Sequence, residues 1–317
     1  MKKIFFTLGI TLFGFSIILA QEGKPSVKIF SNFNYEISDE NDNFKQFEIK
    51  RSYLGYSYKY DDKFSAKIIF DVGSNEAGSN YTAFLKIASL SWNATENLSI
   101  NLGQVGTKNF KFMENAWGKR YVEKSAMDKY KWASAADAGI TATYSLSKKV
   151  ILEGQILNGE GYKKYQDNSG IFRTGFGGSY NFNNNLSVRV FKDIFADTSE
   201  NSQDITTAAI AYSNKKISFG AEKNIMENSE NIEERSKDIT SIYGSFNFND
   251  KITLFGRIDN ITSPDEWNIM QDGSYTIIGI ERQMNSGVKV SLNMQSWTSS
   301  DEENTEETLF VNFEYKF

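Results

Sequence analysis

From Gln21 onward the chain repeats with a period of two. Val288, Val290, Leu292 and Met294 alternate with Lys289, Ser291, Asn293 and Gln295. Phe172, Phe176, Tyr180 and Phe182 alternate with Arg173, Gly175, Ser179 and Asn181, and Ile140, Ala142, Tyr144 and Leu146 with Thr141, Thr143 and Ser145. Successive side chains of a strand point to opposite faces, so each run is a strand with one apolar and one polar face. A soluble sandwich alternates in the same way. The connections separate the two cases. Short turn segments at 61–63, 94–97, 147–149, 183–185, 214–216, 249–251 and 285–287 interleave with longer polar ones near 38–43, 75–80, 106–135, 159–169, 198–203, 227–237, 262–272 and 299–306. Seven short and eight long connections predict sixteen strands. An even strand count, with short turns at one end and long loops at the other, is the pattern of a transmembrane antiparallel β-barrel with its short side periplasmic.

The first segment, MKKIFFTLGITLFGFSIILA, has a basic start at Lys2 and Lys3, an uncharged apolar stretch from Ile4 to Leu19, and the small residue Ala20. That pattern predicts a secretory signal peptide over 1–20 and a barrel domain over 21–317. Ile18 departs from the small-x-small spacing, which leaves the cleavage position open. Phe, Tyr and Trp make up 15% of the chain although no further apolar block follows, as suits strands with one apolar face. Tyr58, Tyr60 and Phe64, at strand ends, suit an interfacial aromatic girdle.

Composition also removes function classes. There is no Cys, so neither a disulfide framework nor a lipoprotein anchor is available. There is no His, which takes away the usual catalytic base and the commonest metal ligand. No catalytic residue, metal or cofactor is expected. The net charge of −5 becomes more acidic once Lys2 and Lys3 leave, and argues against a nucleic-acid partner. Asp39, Glu40 and Asp42 lack the Gly and distal Glu offsets of a calcium loop. Glu233-Glu234 and Glu306-Glu307 read as solvated faces.

The third long connection, Gly106 to Ala135, carries seven basic residues against three acidic ones in an otherwise acidic chain. A loop this long usually has a task. Folded inward, it would narrow a barrel, and Lys108, Lys111, Lys119, Arg120 and Lys124 are the candidates to line that constriction. By alternation Arg173, Arg189, Arg257, Lys289 and Lys50 face inward from the wall, offset by Glu48, Glu153, Glu222 and Asp259. Arg51 falls where the alternation slips, as at a bulge. Trp117, Tyr121 and Trp132 are read as wedging the loop against the wall in preference to stacking on a sugar.

FKQFEIKRSYLGYSYKY, FSAKIIFDVG and LGQVGTKNFKFMENAWGKRYVEKS, together covering roughly residues 44 to 140, resemble the phosphate-selective porins O and P in the form common in the Bacteroidota. The resemblance implies a sixteen-stranded barrel, trimeric, that passes small anions across the outer membrane of a Gram-negative bacterium. Members selective for phosphate carry a dense row of inward Arg. Here the row is thin and mixed with carboxylates, so the expectation is a passive channel for small hydrophilic solutes with mild anion preference. The other reading left open is a plugged barrel serving as a surface binding or structural protein.

The chain ends TLFVNFEYKF, with Leu309, Val311, Phe313, Tyr315 and Phe317 on one face. Terminal aromatic alternation of this kind resembles the signal read by the barrel-assembly machinery, with Phe313, Tyr315 and Phe317 as its carriers. Deleting Phe317, or replacing it with a charged residue, should lower the amount of heat-modifiable barrel in the outer membrane. Normal assembly of the deletion variant would refute this assignment.

Overall fold

In lipid a strand has no water to satisfy its backbone, so every N–H and C=O must find a partner in another strand. The computed structural model, which describes residues 23–38, 44–73, 81–196, 201–264, 267–301 and 305–317, meets that demand with a single closed sheet. Its strands are β1 (Gly23–Glu36), β2 (Lys45–Lys59), β3 (Phe64–Gly73), β4 (Thr82–Asn93), β5 (Leu98–Gly106), β6 (Ala136–Ser145), β7 (Val150–Leu157) and β8 (Arg173–Asn181). The second half comprises β9 (Leu186–Ala196), β10 (Ser202–Ser213), β11 (Ile217–Glu227), β12 (Lys237–Asn247), β13 (Ile252–Thr262), β14 (Gly273–Asn285), β15 (Val288–Ser299) and β16 (Thr305–Lys316). Each pairs antiparallel with its sequence neighbours, and β1 pairs with β16 from Lys28↔Lys316 to Glu36↔Thr308. The last rung is reciprocal: the Val27 N–H donates to the Phe317 carbonyl at 2.8 Å and the Phe317 N–H returns to Val27 at 3.1 Å. This is the architecture of an outer-membrane barrel. The signal peptide expected over 1–20, the Asp39-Glu40-Asp42 segment, and Glu302 and Glu303 lie outside the described residues.

The short turns share one device. Asp61, Thr95, Ser147, Asn183, Asn214 and Asn249 each accept, on a side-chain oxygen, the N–H groups two and three residues on, and Asn285 accepts that of Gly287. Such side chains mimic a backbone turn, which is why these residue types close hairpins.

The distribution of polarity is inverted relative to a soluble protein. Leu54, Phe70, Leu102, Ile156, Val190, Ile258 and Ile278 face outward and are exposed to what would be lipid, while Asn32, Asp71, Thr141, Arg189, Asp193, Asp259 and Asn312 are buried inside. On β16, Asn312 and Glu314 point inward and alternate with outward Phe313 and Tyr315, and the Phe317 ring is exposed. At the short-turn end Tyr58 meets Tyr60 edge-on at 4.8 Å, Phe64 stacks on Trp92 at 6.2 Å, and Tyr180 meets Phe182 at 4.9 Å. Aromatic rings at this level form a girdle where apolar and hydrated zones meet.

Besides a bulge at Gln283–Asn285 of β14, two bulges break the alternation in β2 and β4. Phe30 and Ser31 of β1 face Arg51 and Ile49, so Lys50 is an extra residue in β2. Ile69 and Phe70 of β3 face Ile87 and Leu85, so Lys86 is an extra residue in β4. A bulge lets consecutive side chains leave on one face. Lys50 and Arg51 accordingly both reach inward, Lys50 to the Val122 carbonyl at 3.1 Å and Arg51 to Asp71 at 3.2 Å.

This topology predicts sidedness. Epitope tags at Asn184 or Lys215, in short turns, should be hidden in intact cells, and a tag at Asn168, exposed on the β7–β8 connection, should be reachable by antibody. Labelling of the short turns in intact cells would reverse the orientation.

Candidate functional site

The β5–β6 connection turns into the lumen. It carries two short helices, α1 (Lys111–Trp117) and α2 (Ala126–Lys129), and α1 ends on Gly118 in the left-handed conformation that glycine adopts without a Cβ clash. Its apolar residues dock onto the inner wall in two clusters. Phe110, Met113, Met127 and Trp132 pack on Ile205, Met226, Ile239 and Ile261 of β10–β13. Trp117, Tyr121 and Val122 pack on Phe30, Tyr243, Phe255, Tyr275 and Ile277 of β1 and β12–β14. Trp117 meets Tyr243 and Phe255 edge-on at 5.8 and 6.1 Å, and its indole N–H donates to the Glu123 carbonyl at 2.9 Å. Burying each large apolar side chain contributes roughly 1.5–3 kcal/mol, so the loop is a firmly seated part of the wall. The wedging expected of Trp117, Tyr121 and Trp132 is what the structure shows: all are under 5% exposed.

Charged wall residues complete the seating. Arg189 lies between the Glu153 carboxylate, at 3.0 Å, and the backbone carbonyls of Lys108 and Asn109. Arg257 pairs with Asp259 and donates to the Lys124 carbonyl. Arg173 pairs with Asp193 and donates to the Trp132 carbonyl at 3.3 Å. Lys289 lies 3.9 Å from Glu281, which also takes Lys119 at 3.0 Å and the Tyr121 hydroxyl at 2.8 Å. The four wall cations face inward, as alternation requires, with the three arginines turned onto the loop backbone and Lys289 onto the Glu281 cluster. Glu123, buried at the loop's turn, lies 3.7 Å from Lys50 and 3.5 Å from Lys129. Burial acts to raise its carboxyl, yet these two cations and Arg257 hold it below the ordinary carboxylate range.

The five loop cations separate into different settings. Lys119 is buried against Glu281, and Lys108 donates to Thr143 at 2.6 Å and lies 3.6 Å from Glu153. Arg120 reaches Asp128 at 3.4 Å, Glu114 at 4.0 Å and the Tyr53 hydroxyl at 3.4 Å. Lys111 is largely exposed and pairs with Glu114 one helical turn on. The Lys124 ammonium makes no ion pair or hydrogen bond among the described residues. Burial, with Arg120 and Arg51 as like charges nearby, outweighs the pull of Asp128 and Glu123 and pushes it down to about 8.

Lys124 and Arg120 open onto a cavity of about 980 Å³ on the long-loop side. Its opposite wall holds residues that the strand pattern did not single out. Asp71 of β3 takes Arg51 at 3.2 Å, Lys86 at 3.3 Å and the Tyr162 hydroxyl at 2.8 Å. Tyr162 belongs to the β7–β8 connection, read from the sequence as a long outer loop. It bends inward, its N–H donating to the Ala136 carbonyl at 3.0 Å and its ring meeting Phe84 edge-on at 6.4 Å. The space between loop and wall is thus bordered by Arg51, Lys86, Arg120, Lys124, Lys131, Lys163, Lys164 and Arg173 against Asp71, Asp128, Glu160 and Glu230. Among the described residues no cluster of three or more His, Cys, Asp or Glu could hold a metal ion.

A closed sixteen-stranded antiparallel barrel with a long third connection seated in its lumen defines the porin class of fold. No protein-family model matches the chain, and no curated protein matches it in sequence. Solved structures do. OprB of Pseudomonas putida is similar with a TM-score of 0.75 at 9% identity, over 94% of this chain and 95% of that one. OmpF of Salmonella typhi, in complex with daunomycin, gives 0.67 at 12% identity over 93% and 97%. The outer-membrane channel DcaP of Acinetobacter baumannii gives 0.66 at 11% identity over 93% and 97%. These likenesses establish the fold, and none singles out the phosphate-selective porins O and P.

The seating of the loop is testable through its buried ion pair. Removing one partner of such a pair costs roughly 3–5 kcal/mol because the other charge is left without compensation. Lys119→Met should therefore make the third loop of the folded barrel susceptible to protease, and Lys119→Met with Glu281→Gln should recover most of the protection. Equal protection of the single variant and the parent would show that the apolar clusters suffice.

Proposed function

We propose that this chain is an outer-membrane porin, a passive diffusion channel for small hydrophilic solutes with a mild preference for anions, phosphate among them. The observation that carries this reading is the cationic majority bordering the space that the third loop leaves beside β2–β4. Two unit charges ~4 Å apart interact by about 4 kcal/mol at an effective dielectric near 20 and about 1 kcal/mol in water. A narrow, partly dehydrated passage feels such an excess, while salt screens charges on an outer loop. The preference is mild because Asp71, Asp128, Glu160 and Glu230 sit among the cations, and because Arg173, Arg189 and Arg257 are engaged with the loop backbone and give no row of free guanidinium groups. No residue is assigned a catalytic role. Outer-membrane lipid surrounds the barrel, the assembly machinery inserts it, and the resemblance to the phosphate-selective porins supports a homotrimer.

The amount of lumen filled by the third loop and Tyr162 favours one rival, a plugged barrel with a surface binding role. Single-channel recording in planar bilayers separates the two: a porin gives steady unitary currents and a plug gives none.

Selectivity should follow Lys124, whose ammonium opens onto the cavity. Lys124→Glu should move the zero-current potential in a salt gradient from anion-favouring toward cation-favouring, an effect that shrinks at molar salt. An ammonium is charged below its pKa. With Lys124 at about 8, anion preference should be full at pH 7 and fall as pH rises to 9. Lys124→Arg, which stays charged, should flatten that decline. An unchanged reversal potential in Lys124→Glu at low salt would move selectivity elsewhere.

A further inference from the structure

The returning end of the third loop has a second side. Lys131 and Trp132 border the cationic cavity on one side, and on the other they help to enclose a separate cavity of about 470 Å³. This one lies at the long-loop ends of β12–β16, between the start of β12 and the β13–β14 connection. Its volume falls within the roughly 300–1,000 Å³ of small-molecule sites. The channel reading makes no use of it.

Its chemistry differs from that of the cationic cavity. Trp297, half-buried and 6.4 Å from the Tyr130 ring, supplies the aromatic surface, beside the buried Trp132 and Tyr275, whose ring already carries the Lys129 ammonium at 3.7 Å; Lys129, Lys131 and Glu306 add charge to the lining. Asn268 and Gln271 bring amide groups from the β13–β14 connection. Lys237, the first residue of β12, holds its ammonium 5.7 Å from the Trp132 ring centre and 5.6 Å from that of Trp267. Among the described residues it makes no hydrogen bond or ion pair. Glu230 and Asp272 act on it only from beyond ion-pair distance, and Glu306 also lines the cavity, so a cation held over indole faces keeps its near side open to an incoming anion.

Each group sets a requirement on the ligand. The aromatic surface calls for a ring with a flat apolar face, and the C–H face of a pyranose supplies one. The amides call for neighbouring hydroxyls. Lys237 calls for one negative charge. A neutral sugar would leave Lys237 unused, and inorganic phosphate would leave the aromatic surface unused. We propose that this cavity is a capture site for acidic saccharides, with a hexuronate ring stacked on Trp297 and its carboxylate at Lys237, at the mouth of the barrel.

The test uses the full-length barrel folded in detergent, with binding followed by calorimetry. Galacturonate, galactose and inorganic phosphate are the probes. Galacturonate should bind about tenfold more tightly than galactose, the ratio expected of one charge-assisted hydrogen bond. Trp297→Ala should weaken galacturonate binding about tenfold or more, and Lys237→Gln should reduce it to the level of galactose. Both variants must remain heat-modifiable, which separates loss of the site from loss of the fold. Absence of saturable galacturonate binding, equal binding of galactose, displacement by equimolar phosphate, or indifference to Trp297→Ala would each overturn the proposal. A barrel that conducts ions but does not bind galacturonate refutes this inference alone. One that binds but does not conduct refutes the channel reading alone.

Discussion

The hydrogen-bonded rung between Val27 and Phe317 closes the sheet, and the rest of the molecule depends on that closure. An open sixteen-stranded sheet would leave two edges of unpaired backbone in hydrocarbon, each group costing several kcal/mol. Joining β1 to β16 removes both edges at once. It also turns one face of every strand to lipid and the other to a shared interior, so a single alternation of residue type builds both the membrane surface and the lumen.

Within that frame the usual meaning of a core changes. The hydrophobic clusters of this protein are the contact between a loop and the inner wall. Ile205, Ile239, Ile261 and Ile277 are inward positions that could have been polar, as Asn293 and Asn312 are. They are apolar where Met113, Met127, Trp117 and Val122 meet them. The wall is therefore two-sided in function: β10–β14 hold the loop, and β2–β4 present charge to the space that remains.

The strands, the turns and the inward direction of the third loop were legible in the sequence, because each depends on local chemistry: a period of two, an Asx or hydroxyl side chain that caps its own turn, and a length too great for a plain connection. The faces of Arg173, Arg189, Arg257 and Lys289 were legible for the same reason. What those cations touch was not. Lys119 finds Glu281 across 162 positions of sequence, and Arg257 finds the Lys124 carbonyl across 133. Pattern gives the side of the sheet and says nothing about the partner. Lys86 was hidden by its bulge, which breaks the alternation by one residue and can be seen only when β3 fixes the register. Arg51 gave itself away because the slip beside Lys50 is visible within β2 alone. Tyr162 sits in a polar stretch that carries no period, so nothing local marks its inward turn.

The arginines that seat the third loop grasp it by main-chain atoms: Arg189 at the carbonyls of Lys108 and Asn109, Arg257 at that of Lys124, Arg173 at that of Trp132. A carbonyl is the same on every residue. The grip therefore does not depend on the side chain of Lys124, which opens onto the cavity. Position is specified by the wall and identity by the loop, and the two can vary independently. The lining of the cavity could therefore change one residue at a time without the loop having to find its seat again.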